Sequence, residues 1–200
     1  MQKTIYVSAI LLIGLLSSAV NAKGNRYGGT ISQFSIESID YEQGKSGEVD
    51  ALRYGLTYTR PIDENNNRWR WWFGANYLNE SVKAPDNGVY QEVSNFEFRV
   101  VPQYALTNVS FITPYIGAGV SLGYSQYSRR WVVDDEGYKY GDQLDDIDQF
   151  EVSLVGSVGT VIKLGSNPNA HLQFIPQVSY LFPVYNDGIG GLELSVSLLF

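Results

Sequence analysis

The feature that most constrains this chain is a two-residue periodicity that returns eight times between residues 27 and 200. It is clearest in segment 191–200, where Leu192, Leu194, Val196, Leu198 and Phe200 share one face and Glu193, Ser195 and Ser197 the other. Successive side chains of a strand point to opposite sides, so this alternation marks strands with one apolar and one polar face. Segment 49–61 sets Leu52, Tyr54, Leu56 and Tyr58 against Arg53, Gly55, Thr57 and Thr59; segment 69–79 sets Trp69, Trp71, Phe73, Ala75 and Tyr77 against Arg70, Gly74 and Asn76. Segments 93–105, 111–125, 148–163 and 171–182 follow the same rule. Segment 27–40 is the least regular. Phe34 and Ile36 are assigned to its apolar face, and Ile31 and Ile39, on the other parity, suggest a bulge.

The sense of the alternation decides between two architectures. A soluble sandwich hides its apolar faces in a core, whereas a membrane barrel turns them to lipid and keeps polar groups inside. The longer segments exceed the usual strand of about 5–6 residues in a sandwich. They suit tilted membrane crossings instead. The expected fold is therefore all-β: an eight-stranded antiparallel up-and-down transmembrane β-barrel. With the N-terminus on the periplasmic side, the inner turns are 62–68, 106–110 and 164–170, and the outer loops are 41–48, 80–92, 126–147 and 183–190. The two longest connections, 80–92 and 126–147, then fall on the outer side, as membrane barrels prefer. Pro61, Pro102, Pro114 and Pro176 fall in the periplasmic halves of their strands, where a missing ladder hydrogen bond is best tolerated.

The N-terminus reads as an export signal. Lys3 supplies a positive start, Ile5 to Val20 is uncharged and apolar, and Val20-Asn21-Ala22 offers a cleavage site after Ala22. The expected division is a signal peptide over 1–22 and one barrel domain over 23–200, with no second domain. The apolar stretch is short for a bilayer helix of about 20 residues, and no later run is long enough to span as one. A net charge of −7 argues against nucleic acid, whose binding needs clustered Lys and Arg. With no cysteine, neither a disulfide framework nor a thiolate metal site can form.

The terminal strand Leu192 to Phe200 resembles the terminal-Phe assembly signal of bacterial outer-membrane proteins. Together with Pro114-Tyr115-Ile116-Gly117-Ala118-Gly119-Val120, it resembles the small eight-stranded outer-membrane barrel family that includes the membrane domain of OmpA, OmpX, Ail and OmpW. The resemblance implies a Gram-negative cell-envelope protein in the outer membrane, in contact with its lipid and lipopolysaccharide. It also implies that Leu194, Val196, Leu198 and Phe200 are read by the barrel-assembly machinery. A terminal Phe can equally serve as an interface anchor for its strand.

The polar face of such a barrel points into a lumen just wide enough to be filled by side chains. On this register it receives Glu37, Glu97, Glu151 and Glu193 with Arg53, Arg70, Arg99 and Lys163. Buried charges need partners, so this balance points to a salt-bridged plug, or alternatively to a gate for small ions. The single histidine, His171, lies at the periplasmic rim without a neighbouring Ser, which argues against the acid–base chemistry of a lipid A-modifying enzyme. Loop 126–147 is the most distinctive exposed feature. It carries Arg129, Arg130, Trp131, Asp134, Asp135 and Tyr138. It reads either as a solvated hairpin or as a contact surface in which Arg129 and Arg130 hold lipopolysaccharide phosphates. The Asp spacing departs from a calcium loop, and no cofactor is expected. The functional expectation is a non-catalytic outer-membrane protein with an envelope-structural or surface-interaction role. Its rival is a narrow porin-like channel.

Overall fold

In a computed structural model, the described residues are 24–38, 49–63, 66–83, 88–107, 111–134, 136–165, 172–185 and 188–200. The expected signal segment, Ile39, Asp135 and His171 lie outside them, as do the side chains of Glu37 and a few strand-end residues. Eight strands follow in chain order: β1 (Arg26–Ser38), β2 (Val49–Asp63), β3 (Asn66–Lys83), β4 (Val89–Ala105), β5 (Ile112–Val132), β6 (Ile147–Leu164), β7 (Leu172–Pro183) and β8 (Gly190–Leu199). Each pairs antiparallel with its neighbours, and β1 pairs with β8 to close the barrel. Closure is completed by reciprocal backbone bonds between Tyr27 and Phe200 (3.2 and 3.0 Å), whose rings meet edge to face. No sheet edge is left unpaired, which removes the main aggregation hazard of a β protein. The rim holding Tyr27 and Phe200 is called the terminal rim below, and the opposite end the loop rim.

Three strands run farther toward the loop rim than the alternation suggested. β3 continues to Lys83, β4 begins at Val89, and β5 continues to Val132. The expected loop 80–92 is thus mostly paired strand, and loop 126–147 contracts to 133–146. Isolated bridges Arg130↔Leu144 and Val133↔Lys139 extend that last hairpin further. Polar residues conceal this extension in the sequence. Its outward face is mostly polar, while the inward face mixes buried apolar and polar residues such as Gln91, Val93, Tyr127 and Arg130, so the apolar-out alternation is lost.

The face assignment holds for the outward residues of β2 to β8 and fails for β1. Phe34 and Ile36 are completely buried, while Ile31 is exposed. The hydroxyl of Thr30 explains the parity, because it meets both Thr57 and Ser197 at 2.6 Å inside the barrel. Even-numbered residues of β1 therefore point inward, and Phe34 and Ile36 must follow. The only irregularity in the β1–β8 pairing falls between Ile36 and Ser38.

Outside, the barrel carries a continuous apolar band. Its most regular element is an aromatic row running across five strands: Tyr54, Tyr77, Phe96, Tyr124 and Phe150 are successive register partners from β2 to β6. All five are exposed. A second girdle lies toward the terminal rim, where Trp69 packs on Tyr104 (5.0 Å between centroids) and Phe111 is exposed. On β3 these levels are marked by Tyr77 and Trp69. At a rise of about 3.3 Å per residue they stand about 26 Å apart along the strand, or about 20 Å after tilting.

Inside, packing is close enough for single methyl groups to matter. Trp72 points into the lumen and lays its ring over Gly74, two residues on. A Cβ at Gly74 would stand 2.5 Å from Trp72 Cη2 and 2.6 Å from Cζ3. Gly74→Ala is therefore expected to destabilise the barrel by about 1–3 kcal/mol through overpacking. The measurement is the urea midpoint of the protein refolded in lipid, and an unchanged midpoint would mean that the ring does not occupy this space.

Candidate functional site

The lumen is the natural place to look for chemistry, and its contents fall into three levels. Toward the loop rim it is apolar. Phe34, Ile36, Ala51, Leu78, Val93, Tyr127, Val155, Leu181 and Ile189 belong to one buried cluster. Ile189 comes from the connection between β7 and β8 and is buried in this cluster. Sequence alternation missed this apolar plug because it treats every residue of lumen parity as polar. A signal was nevertheless present: doublets such as Trp71-Trp72 and Val100-Val101 place large apolar groups on both faces at once, and Trp72 and Val101 join the same buried cluster.

The middle level holds a closed four-residue ion cluster. Arg53 Nη1 meets Glu97 Oε2 at 3.0 Å and Glu193 Oε2 at 3.6 Å. Arg99 Nη2 meets Glu97 Oε1 and Glu193 Oε2, each at 2.7 Å. Each arginine thus faces both carboxylates, and the cluster is neutral. Asn76 Nδ2 donates to Glu97 (3.3 Å), and Arg53 Nη2 donates to Asn95 Oδ1 (3.4 Å). The Arg53 guanidinium also lies 4.0 Å over the Phe34 ring. These side chains are essentially inaccessible to solvent, with exposures of 1–3%. In low-dielectric surroundings such charges are tolerable only when paired, and here every charge is paired, while Arg53 Nε lacks a hydrogen-bond acceptor among the described residues. The geometry is transverse: β4, which carries Arg99, and β8, which carries Glu193, are diametrically opposite in the strand order. Their 2.7 Å contact therefore crosses the whole bore.

The eight-residue lumen network expected from the sequence is corrected in its extent. Arg53, Glu97, Arg99 and Glu193 form the salt-bridged set. Glu151 is buried within reach of the charges of Arg53 and Glu97 but outside that bridged set. It accepts from Tyr127 Oη at 3.5 Å and has no salt bridge among the described residues. Arg70 and Lys163 belong to the third level, and the Glu37 side chain lies outside the described residues. Height along the barrel is the physical reason. Shared parity puts side chains on one face, but Lys163 is about 40 Å of strand from Glu151 at about 3.3 Å per residue.

The terminal-rim level is polar. Tyr115 Oη donates to Gln177 Oε1 (2.7 Å), which Gln103 Nε2 also approaches at 3.3 Å. Arg70 Nε donates to Gln103 Oε1 (2.7 Å), and its guanidinium covers the Tyr115 ring at 4.5 Å. Below them opens a cavity of about 190 Å³.

On the outer surface the expected contact residues separate. Arg129 and Arg130 are in β5 rather than in a loop. Arg129 has a positive φ of 49°, beside a shift in the β4–β5 register, and this strained residue turns outward. It pairs with Glu92 at 2.8 Å in solvent. Arg130 is buried, donating to Gln91 Oε1 (3.3 Å) and to the Asp145 carbonyl (2.7 Å). The two arginines therefore do not form a joint phosphate clamp, and the expectation is corrected for Arg130. Trp131 lies beneath Lys139, whose ammonium is 5.6 Å from its ring. Asp134 accepts from the Tyr138 backbone (2.7 Å), and Tyr138 itself projects into solvent. Of the assembly-signal residues, Leu194, Val196, Leu198 and Phe200 all face outward on the closing strand.

No protein-family model matches the chain, and no curated protein matches it. Among solved structures, Neisserial surface protein A (NspA) is similar, with 14% identity and a TM-score of 0.60. The match covers 88% of this chain and 96% of that one. Ail, the attachment invasion locus protein of Yersinia pestis, is similar at 13% identity and a TM-score of 0.50, covering 88% of this chain and 99% of that one. The chain has the fold of the small eight-stranded outer-membrane β-barrels.

Proposed function

We propose that this protein is an integral outer-membrane barrel that does not conduct, and that it serves the cell envelope as a membrane-anchored support for its projecting hairpins. The membrane placement is supported by the exposed apolar band between two aromatic girdles. The band is far too extensive for a soluble surface and close to the height of about 25 Å expected of a lipid-facing belt. Export through the 1–22 segment belongs to the same reading.

The observation that carries the non-conducting role is the Arg99–Glu193 bridge across the bore. With the apolar cluster stacked above it, a hydrated ion would have to break a buried ion cluster and then cross a dry plug. Glu97 and Glu193 are each already bound by two arginines, which leaves neither poised as an acid or base. The surface role is supported by the hairpin of β5 and β6, which presents Tyr138 and Tyr140 among exposed acids.

Planar-bilayer recording of the refolded protein tests this reading. The expected result is silence at ordinary voltages. Discrete openings that disappear in Arg99→Ala or Glu97→Ala variants would replace the plug by a narrow ion channel.

A further inference from the structure

The cavity at the terminal rim has no part in the plug, and its lining is unlike the rest of the lumen. Arg68 and Arg70 reach it from β3, and Lys163 reaches it from β6, three strands around the barrel. Gln103, Gln173 and Tyr115 complete its polar wall. Three cations thus converge on one space in a chain whose net charge is −7, and no carboxylate lines that space among the described residues.

Two of these groups have unused capacity. Arg70 Nη2 is buried with no hydrogen-bond partner, although Nε of the same guanidinium is held by Gln103. The Lys163 ammonium has neither an ion pair nor a hydrogen bond among the described residues. A buried guanidinium N–H without an acceptor costs about 1–3 kcal/mol or more. Lys163 and Arg70, gathered where no carboxylate lines the cavity among the described residues, also repel one another. In the middle level each buried arginine faces two carboxylates. Among the described residues no carboxylate faces Arg70 here.

We propose that this cavity is an anion site for a phosphate group, entered from the terminal rim. A planar carboxylate would be satisfied by one guanidinium fork. Cations arriving from β3 and from β6, three strands away, suit a tetrahedral dianion, whose oxygens point in more than one plane. The volume of about 190 Å³ has room for such a group with a few waters. The phosphate can come from a soluble ion or from a lipid headgroup of the adjoining leaflet. Only the second source rests on the membrane placement proposed above.

The test uses the full chain purified in a nonionic detergent and titrated with inorganic phosphate, followed by calorimetry and by ³¹P line width. Saturable binding is expected, weakened at least tenfold in Lys163→Gln and unchanged in Arg129→Gln, which alters only the exposed pair. Gln173→Glu, which places a carboxylate against the cavity, is a second variant that is expected to abolish binding. Repeating the titration in phosphatidylcholine nanodiscs with and without phosphatidic acid distinguishes the sources. Occlusion by phosphatidic acid assigns the site to a headgroup, and equal binding in both assigns it to soluble phosphate. Absence of saturable binding in detergent, or equal affinity in the parent and both cavity variants, overturns the proposal. Neither outcome touches the non-conducting reading, which the bilayer recording tests separately.

Discussion

Arg99→Ala is expected to lower the stability of the refolded barrel by about 3–5 kcal/mol, the usual cost of stranding a buried charge. The loss falls on Glu193 and Glu97, whose remaining salt bridges are to Arg53, at 3.6 and 3.0 Å, once the 2.7 Å contacts are gone. Neither carboxylate can turn toward water from a position almost closed to solvent. Arg53→Ala has the same sign for the same reason. Arg129→Ala should cost less than about 1 kcal/mol, because its side chain is 71% exposed and its bridge to Glu92 competes with water. Urea titration in lipid vesicles compares the three variants. A double variant, Arg99→Met with Glu193→Gln, separates packing from charge by removing one charge of each sign. It should be less damaging than Arg99→Ala alone. Equal losses for Arg99→Ala and Arg129→Ala would mean that the central cluster is hydrated and the bore is open.

Most of the architecture was legible because a strand's two faces are read directly from parity. Segment 191–200 illustrates this: every apolar residue assigned outward is exposed, and Glu193, Ser195 and Ser197 are buried. Parity failed at Phe34 and Ile36 for a physical reason. The rule equates apolar with outward, yet the loop-rim half of this lumen is itself packed with hydrocarbon. In β1 the true outward face holds Gln33 and Ser35, so hydropathy pointed the wrong way while the hydroxyls of Thr30 and Ser32 carried the better signal. The ends of β3, β4 and β5 were missed because their outward face is mostly polar and their buried inward face mixes apolar Val93 and Tyr127 with polar Gln91 and Arg130.

The site was legible in kind and not in arrangement. Arg53, Glu97, Arg99, Glu151 and Glu193 are buried, but alternation contains no information about height or about distance across the bore. Glu193 and Arg99 are 94 residues apart in sequence and touch only because the barrel closes at β1 and β8. Arg70 and Lys163 share that inward parity but sit at another depth, where no carboxylate lines the cavity among the described residues. A charge count balanced over the whole lumen therefore concealed two different environments, a neutral knot and a basic cavity lining.

The lipid-facing side admits an equally severe test. Leu154→Arg is expected to cost about 2–4 kcal/mol, the penalty for a cation near the bilayer midplane. Leu154 is exposed between its register partners Val120 and Phe182, both also exposed and apolar. It lies four residues below Phe150 of the aromatic row, about 13 Å along the strand toward the terminal rim. No protein group stands ready to receive a guanidinium there. Phe150→Arg makes the necessary comparison, because on the same strand and face it sits in the girdle, where the penalty falls to about 0–1 kcal/mol. The difference between the two variants measures depth rather than any general intolerance of arginine on β6. It can be read from urea titrations in vesicles or from the folded fraction on a heat-modifiability gel. Equal penalties would show that residues 150 and 154 sit in the same medium, and the apolar band would then need a protein partner instead of a bilayer.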